Sequence, residues 1–137
     1  MKVLVDTNVV LDVLLDRKPF SSMAAKIFAL AEKSAFQGIL CATTMTTTEY
    51  LLTESVPQAE ARTMIWKLLT LFEIAPVNRA IIERALRSPI KDFEDAVLDE
   101  AGHASGAQAI VTRNAKDFRQ ARLKIFDPAQ FLAQVCG

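Results

Sequence analysis

The chain of 137 residues is poor in the amino acids that build disulfide frameworks, zinc sites and nucleotide-binding loops. It contains two cysteines, one histidine and four glycines. Cys41 and Cys136 are too few for the disulfide framework of a small secreted domain, which indicates free thiols in a reducing compartment. One imidazole cannot build a zinc site. The four scattered glycines exclude the Rossmann and P-loop motifs.

An excess of charge of one sign and long hydrophobic runs are also missing. Sixteen basic residues balance sixteen acidic ones, so the formal net charge is zero. Nucleic-acid affinity would therefore have to come from a local patch or from a metal ion. No stretch approaches the roughly 18 continuous apolar residues that suggest a membrane-spanning helix, and Asp6 comes too early for the apolar core of a signal peptide. We expect a cytoplasmic protein with no membrane association.

Short apolar runs alternate with amphipathic segments along the chain. With 51% hydrophobic and 23% charged residues, the composition indicates one folded domain over residues 1–137. Strands buried on both faces are predicted at residues 3–5, 39–42, 73–75, 109–112 and 124–126. Helices are predicted at residues 9–15, 43–52, 58–72, 78–87 and 92–105, with two more that begin at residues 21 and 127. The alternation predicts an α/β fold, a three-layer α/β/α sandwich with a central, mainly parallel sheet of four to five strands.

Four acidic residues each lie at an end of a predicted element. Asp6 follows the first strand, Glu49 lies in the helix after the second strand, and Asp117 follows the fourth strand. Asp95 lies in the first turn of the helix that begins at Asp92. Because the carboxyl ends of parallel strands meet at one edge of a sheet, these carboxylates can converge there.

Convergence of these carboxylates would require a cation. Two carboxylates about 5 Å apart repel each other by roughly 3 kcal/mol at an effective dielectric constant near 20, and several together raise one another's pKa values. Ligands that are all oxygen favour Mg²⁺ or Mn²⁺ over zinc. Such ions cleave phosphodiesters, so the pattern predicts a metal-dependent hydrolase.

Each acid also has an ordinary explanation. Asp6 can cap a helix, Glu49 can be exposed on one, Asp95 can complement the helix dipole, and Asp117 can lie in a turn. These explanations do not account for the repeated coincidence of strand, acid and helix start, which favours a shared site.

The predicted helix at residues 92–105 carries two further acids on the face of Asp95. Asp92, Asp95 and Asp99 are spaced i, i+3, i+7, so they share one face, whereas Glu94 points elsewhere. Asp92 is the expected N-cap. Asp99 is a weaker candidate for a metal contact or for orienting a ligand.

Four segments together carry a resemblance to a known family: VLVDTN at residues 3–8, Glu49, DFEDA at residues 92–96 and TRNAKDF at residues 112–118. In this order and spacing, over essentially the whole chain, they resemble the PIN domain. A chain this short is similar to the VapC-like toxins of bacterial and archaeal toxin–antitoxin pairs.

The resemblance implies a three-layer α/β/α fold and a metal-dependent endoribonuclease, often a homodimer held by an antitoxin. The family's acids fall on Asp6, Glu49, Asp95 and Asp117, which would be both the catalytic residues and the ligands of Mg²⁺ or Mn²⁺. The family's polar positions, which orient the acids or a water on the metal, fall on Asn8, Thr112 and Asn114.

The predicted activity is hydrolysis of phosphodiester bonds in single-stranded RNA, by the toxin of a type II toxin–antitoxin pair. Basic residues cluster around the last acid and are candidates for RNA binding: Arg113, Lys116, Arg119, Arg122 and Lys124.

Other functions remain open at this point. They are a stand-alone RNA-processing nuclease, a non-catalytic module that binds RNA or protein, and a phosphatase of the haloacid-dehalogenase type. The phosphatase is disfavoured because its chemistry needs a second Asp where this chain has Asn8.

Overall fold

The computed structural model describes residues 1–136 and contains a five-stranded, fully parallel sheet. The strands lie in the order β3-β2-β1-β4-β5. Their bounds are β1 Lys2–Val5, β2 Gln37–Cys41, β3 Glu73–Ala75, β4 Ala109–Val111 and β5 Lys124–Phe126. At the centre of the sheet, Leu4 is in register with Ile39 on one side and Ile110 on the other. The predicted α/β class and the number of strands are confirmed.

Residues 1–136 also contain seven α-helices and one 3-10 helix. The α-helices are α1 Thr7–Leu14, α2 Ser21–Glu32, α3 Ala42–Leu52, α4 Gln58–Leu71, α5 Arg79–Leu86, α6 Phe93–Ala104 and α7 Pro128–Cys136. The 3-10 helix at Ala115–Phe118 was not predicted. Asn78 caps α5 by accepting from the backbone N–H of Ile81, and Gly106, with φ of 84°, ends α6 in the left-handed region.

Two apolar layers cover the two faces of the sheet, because successive strand residues point in opposite directions. Val3 and Val5 pack with residues of α1, α2, α4 and α7, whereas Leu4 packs with residues of α5 and α6. All three β1 residues are fully buried. This arrangement is the predicted three-layer sandwich.

The carboxyl edge of the sheet extends one residue beyond β1 and β4. The backbone N–H of Asp6 donates to the carbonyl of Val111 at 3.0 Å, and that of Thr112 donates to the carbonyl of Phe126 at 3.0 Å. These bonds place Asp6 and Thr112 side by side at the ends of β1 and β4.

Membrane-spanning helices are not found among residues 1–136, because none of the helices there combines enough length with enough apolar character.

Candidate active site

Asp6 is the most buried of the four predicted acids, and only 6% of its surface is exposed. One carboxylate oxygen accepts from the backbone N–H of Thr7 at 2.7 Å, which caps α1. The other accepts from the hydroxyl of Thr112 at 2.7 Å. Burial raises the pKa of Asp6, and the hydrogen bonds from Thr112 and Thr7 oppose that rise. Asp6 is therefore a helix cap as well as a member of the site.

Thr112 is the centre of a hydrogen-bond network that fixes this carboxylate. Its hydroxyl donates to Asp6 and accepts from the backbone N–H of Asn114 at 3.0 Å. The side-chain amide of Asn8 lies 3.4 Å from both the Thr112 hydroxyl and the Asp6 carboxylate. Its carbonyl oxygen accepts from the backbone N–H of Arg113 at 3.3 Å. The network joins the start of α1 to the segment after β4.

Asp95 is the acid whose pKa is raised by the surrounding negative charges as well as by burial. Its backbone N–H donates to Asp92, the N-cap of α6, at 2.9 Å. Partial burial is the largest cause that raises the pKa of Asp95 to about 7, followed by the charges of Asp92, Asp6, Asp117 and Glu94. The charges of Glu94 and Asp92 in turn raise the pKa of Asp6. The structure thus gathers these acids near one another at the edge of the sheet.

Glu94 belongs to this group, although its helix position suggested that it points elsewhere. It raises the pKa values of both Asp6 and Asp95. Its carboxylate also lies 3.5 Å from the hydroxyl of Thr47 on α3. The charge of Glu94 thus acts on the same acids as that of Asp92, although Glu94 is exposed.

Asp117 approaches from the 3-10 helix. Its neighbour Phe118 is 1% exposed and anchors the turn in the core, whereas Asp117 is exposed. The backbone N–H of Asp117 donates to the carbonyl of Asn114 at 2.9 Å. This turn holds Asp117 close enough to Asp95 for its charge to be felt there.

Glu49, the remaining predicted acid, forms an ion pair with Arg62. Its carboxylate lies 3.6 Å from Nε of Arg62 on α4, and the Arg62 side chain is 67% exposed. Glu49 is not among the charges with the largest influence on the pKa of Asp6 or Asp95. Within residues 1–136, no three His, Cys, Asp or Glu side chains lie close enough together to hold one metal ion as they stand.

Asp99 forms hydrogen bonds with the segment before β5, away from the acids around Asp95. Its carboxylate accepts from the backbone N–H groups of Arg122 at 2.9 Å and Leu123 at 3.2 Å. Only 1% of Asp99 is exposed, and the charges that act most on it are those of Glu100 and Arg122. The residue fixes the segment that leads into β5 and is not brought to the acids around Asp95.

Asp12 was missed by the sequence analysis and organises the basic residues beside the site. Only 1% of it is exposed. Its carboxylate accepts from Arg113 at 2.6 and 3.1 Å and from Arg17 at 2.9 Å. The Arg113 guanidinium also lies 3.8 Å from the centre of the Phe20 ring. A carboxylate inside the apolar stripe of α1 was the available signal, because a buried acid requires partners.

The basic residues near Asp117 therefore differ in their surroundings. Arg113 is held by Asp12, Arg122 donates to Glu100 at 2.8 Å, and Lys124 lies 5.1 Å from the centre of the Phe126 ring. Lys116 and Arg119 are exposed on the turn that carries Asp117. Of the five basic residues expected to bind RNA, Lys116 and Arg119 are exposed beside Asp117, whereas Arg113 and Arg122 are engaged within the protein.

Comparison with known proteins gives a consistent result. A family model described as PIN domain matches residues 2–116. Ribonuclease VapC1 of Aquifex aeolicus (strain VF5) is 23% identical over 135 residues, which cover 95% of this chain and 92% of the relative.

Solved structures share the fold. The VapBC2 structure from Rickettsia felis, bound to a DNA fragment from their promoter, matches with a TM-score of 0.72 and 15% identity, covering 93% of this chain and 98% of the matched chain. A toxin–antitoxin complex from Klebsiella pneumoniae matches with a TM-score of 0.69 and 24% identity, covering 92% of this chain and 97% of the matched chain.

Proposed function

The chain belongs to the PIN domain family, whose model spans residues 2–116, and we propose that it is a metal-dependent endoribonuclease acting on single-stranded RNA. The observation that carries the proposal is the group of acids at the carboxyl edge of the sheet, where Asp6 is buried and the neighbouring charges, together with burial, raise the pKa of Asp95 to about 7. A fold that gathers carboxylates in this way is destabilised by their repulsion unless a cation offsets it. The similarity to a protein named ribonuclease VapC1 supports RNA as the substrate.

Mg²⁺ or Mn²⁺ fits the donor set. The donors are all carboxylate oxygens, from Asp6, Asp95, Asp117 and Glu49, and these are the ligands that hard divalent cations prefer. Among residues 1–136, the exposed Arg62 at 3.6 Å is the one charged partner of Glu49. Exposed ion pairs contribute about 0–1 kcal/mol, so this pair offers little resistance to a metal ion.

The protein's own groups would orient the reaction. Thr112 and Asn8 hold the Asp6 carboxylate at a fixed angle, and such supporting hydrogen bonds tune metal ligands. Asn114 fixes the Thr112 hydroxyl through its backbone N–H. The bound ion would supply Lewis-acid activation of a water nucleophile and stabilise the charge that develops on the phosphate.

The biological role that we propose is that of the toxin in a type II toxin–antitoxin pair. The chain matches structures described as VapBC2 and as a toxin–antitoxin complex over more than nine-tenths of its length. An antitoxin partner and a homodimer are parts of this proposal. Large apolar side chains that are exposed in the isolated chain, Tyr50 and Trp66 among them, are available for such contacts. The alternative role is a stand-alone RNA-processing nuclease.

The activity is tested with Asp6→Asn, which keeps the shape of the side chain and removes its charge. We expect the purified protein to cleave a labelled single-stranded RNA with Mn²⁺ and to lose cleavage when EDTA is added. We expect Asp6→Asn to cleave at least 100-fold more slowly, whereas Lys33→Gln on the remote end of α2 retains the wild-type rate. Equal rates for Asp6→Asn and wild type would disprove the assignment.

The role as a toxin is tested separately by expression. Growth arrest on induction of the wild-type chain, relieved by Asp6→Asn or by co-expression of a small reading frame encoded immediately upstream, is the expected result. Normal growth together with RNA cleavage in vitro would favour the stand-alone nuclease.

A further inference from the structure

A cleft of about 540 Å³ opens between the segment that enters α6 and the 3-10 helix. One wall is formed by residues 89–92, and the other by Lys116, Asp117, Arg119 and Gln120. We name it the basic cleft after its three cations, Lys91, Lys116 and Arg119. We propose that the basic cleft binds successive phosphate groups of single-stranded RNA on one side of the acidic edge. The inference rests on the proposed ribonuclease function and extends it to the path of the substrate.

The three cations of the basic cleft are the ones left available in this region. Arg113 is held by Asp12, and Arg122 is paired with Glu100. Within the part of the chain that the structure describes, Lys91, Lys116 and Arg119 form no ion pair. Arg119 makes one contact, from Nε to the carbonyl of Lys116 at 3.3 Å, which keeps its guanidinium on the cleft wall.

The basic cleft leads directly into the acids. Asp92 and Asp117 line it, and both raise the pKa of Asp95. RNA phosphates approaching these carboxylates are repelled by them, so a substrate needs compensating positive charge next to the site. The overall charge of the protein is zero, and three cations concentrated at this position provide that charge locally.

The chemistry of the basic cleft favours phosphates over bases. Its lining, within residues 1–136, contains no aromatic side chain on which a base would stack. Phosphate contacts fix position and carry no sequence information, whereas base stacking uses aromatic platforms. The basic cleft therefore contributes affinity that does not depend on the RNA sequence, and any sequence preference must arise elsewhere.

Binding of fluorescently labelled single-stranded RNA tests the proposal. Oligonucleotides of equal length but different sequence are titrated by anisotropy at several KCl concentrations, in an Asp6→Asn background whose folding is checked by circular dichroism. We expect Lys91→Gln, Lys116→Gln and Arg119→Gln each to weaken binding about fourfold near physiological salt and to reduce the slope of log affinity against log salt by about 0.7. The triple variant should bind RNA about fiftyfold more weakly, and the loss of affinity should be equal for every RNA sequence.

A second triple variant, Lys26→Gln, Lys33→Gln and Lys67→Gln, is the matched control. These exposed residues lie on α2, at its end and on α4, and the control has the same change in net charge. The control variant should retain the wild-type affinity for RNA and the wild-type slope of log affinity against log salt. In the wild-type background, the cleft variants should raise KM for RNA cleavage at nearly unchanged kcat.

Equal losses in the cleft and control triples would overturn the proposal, because they would show an effect of net charge alone. A loss restricted to one RNA sequence would also overturn it. The binding measurement decides the question whether or not the protein cleaves RNA, so failure of the basic cleft is distinguishable from failure of the proposed activity.

Discussion

A single hydroxyl group, that of Thr112, connects Asp6, Asn8 and the backbone of Asn114 at the edge of the sheet. Thr112 is fully buried and donates to Asp6 while it accepts from the backbone of Asn114. Of the two roles that the sequence suggested for Asp6, helix cap and site acid, the structure shows the first directly. The two oxygens of this carboxylate face different donors, the backbone N–H of Thr7 and the hydroxyl of Thr112.

Replacing this hydroxyl tests its orienting role. In Thr112→Val, Asp6 loses its strongest side-chain donor and the backbone N–H of Asn114 loses its acceptor. We expect RNA cleavage to fall about 10- to 100-fold and the free energy of unfolding to fall by about 1–3 kcal/mol.

The measurements are the cleavage rate as a function of Mn²⁺ concentration and urea denaturation. Thr112→Ser retains the hydroxyl and should restore most of the activity. Thr46→Val, at an exposed position of α3, is the control and should change neither quantity. A cleavage rate for Thr112→Val within twofold of the wild type would contradict the orienting role.

At the scale of the elements, the sequence predicted which segments form strands and helices, but not all of their long-range contacts. The strands were recognisable because a parallel strand covered on both faces is a continuous apolar run, as in Val3–Val5. α3 was recognisable despite its threonines. Thr44 and Thr48 are spaced by one helical turn and both are fully buried, so tertiary packing overrides their preference for strands.

Side-chain partners distant in sequence could not be derived from local patterns. Nothing near Asp12 indicates that Arg113, 101 residues later, is its partner. The pairing of Glu49 with Arg62 depends on how α3 packs on α4. The position of Asp6 at the edge was predictable, because it directly follows β1, whereas the distances between the acids depend on rotamers and helix positions.

Asp12 links α1 to the segment after β4, so its replacement should affect both. In Asp12→Asn, Arg17 and Arg113 lose a buried anionic partner. We expect the free energy of unfolding to fall by about 2 kcal/mol, less than for a fully buried pair because both arginines are partly exposed. Urea denaturation measures the loss. Asp16→Asn, at an exposed position with positive φ that Asn tolerates, is the control, and an equal loss there would argue against the network.

At the scale of the whole molecule, the acidic edge makes stability depend on pH. The pKa of Asp95 is about 7 in the folded chain and near its ordinary value of 3.8 in the unfolded chain. Between these two values the folded state binds more protons than the unfolded state. Stability attributable to this group is therefore present below pH 4 and is lost as the pH rises through 7.

Because the charge on Asp95 lowers the stability of the folded chain at high pH, its removal and the addition of metal ions should both change the melting temperature. In EDTA, Asp95→Asn should melt at a higher temperature than the wild type at pH 8, and the difference should disappear near pH 4. Added Mn²⁺ should raise the melting temperature of the wild type at pH 8 and should raise that of Asp95→Asn less. Thermal denaturation between pH 4 and 8 measures both effects, with Glu54→Gln on the remote surface after α3 as control. A lower melting temperature for Asp95→Asn at pH 8 would contradict the assignment.

The bond from the backbone of Asp6 to Val111 has a consequence for biosynthesis. Asp6 is translated more than a hundred codons before β4 is complete and before the Thr112 that donates to it. A nascent chain stopped anywhere between them has the first acid but neither its neighbouring strand nor its hydroxyl donor. The acid and the groups that hold it in place are therefore never present together on the ribosome until residue 112 has been added, however early the first helix forms.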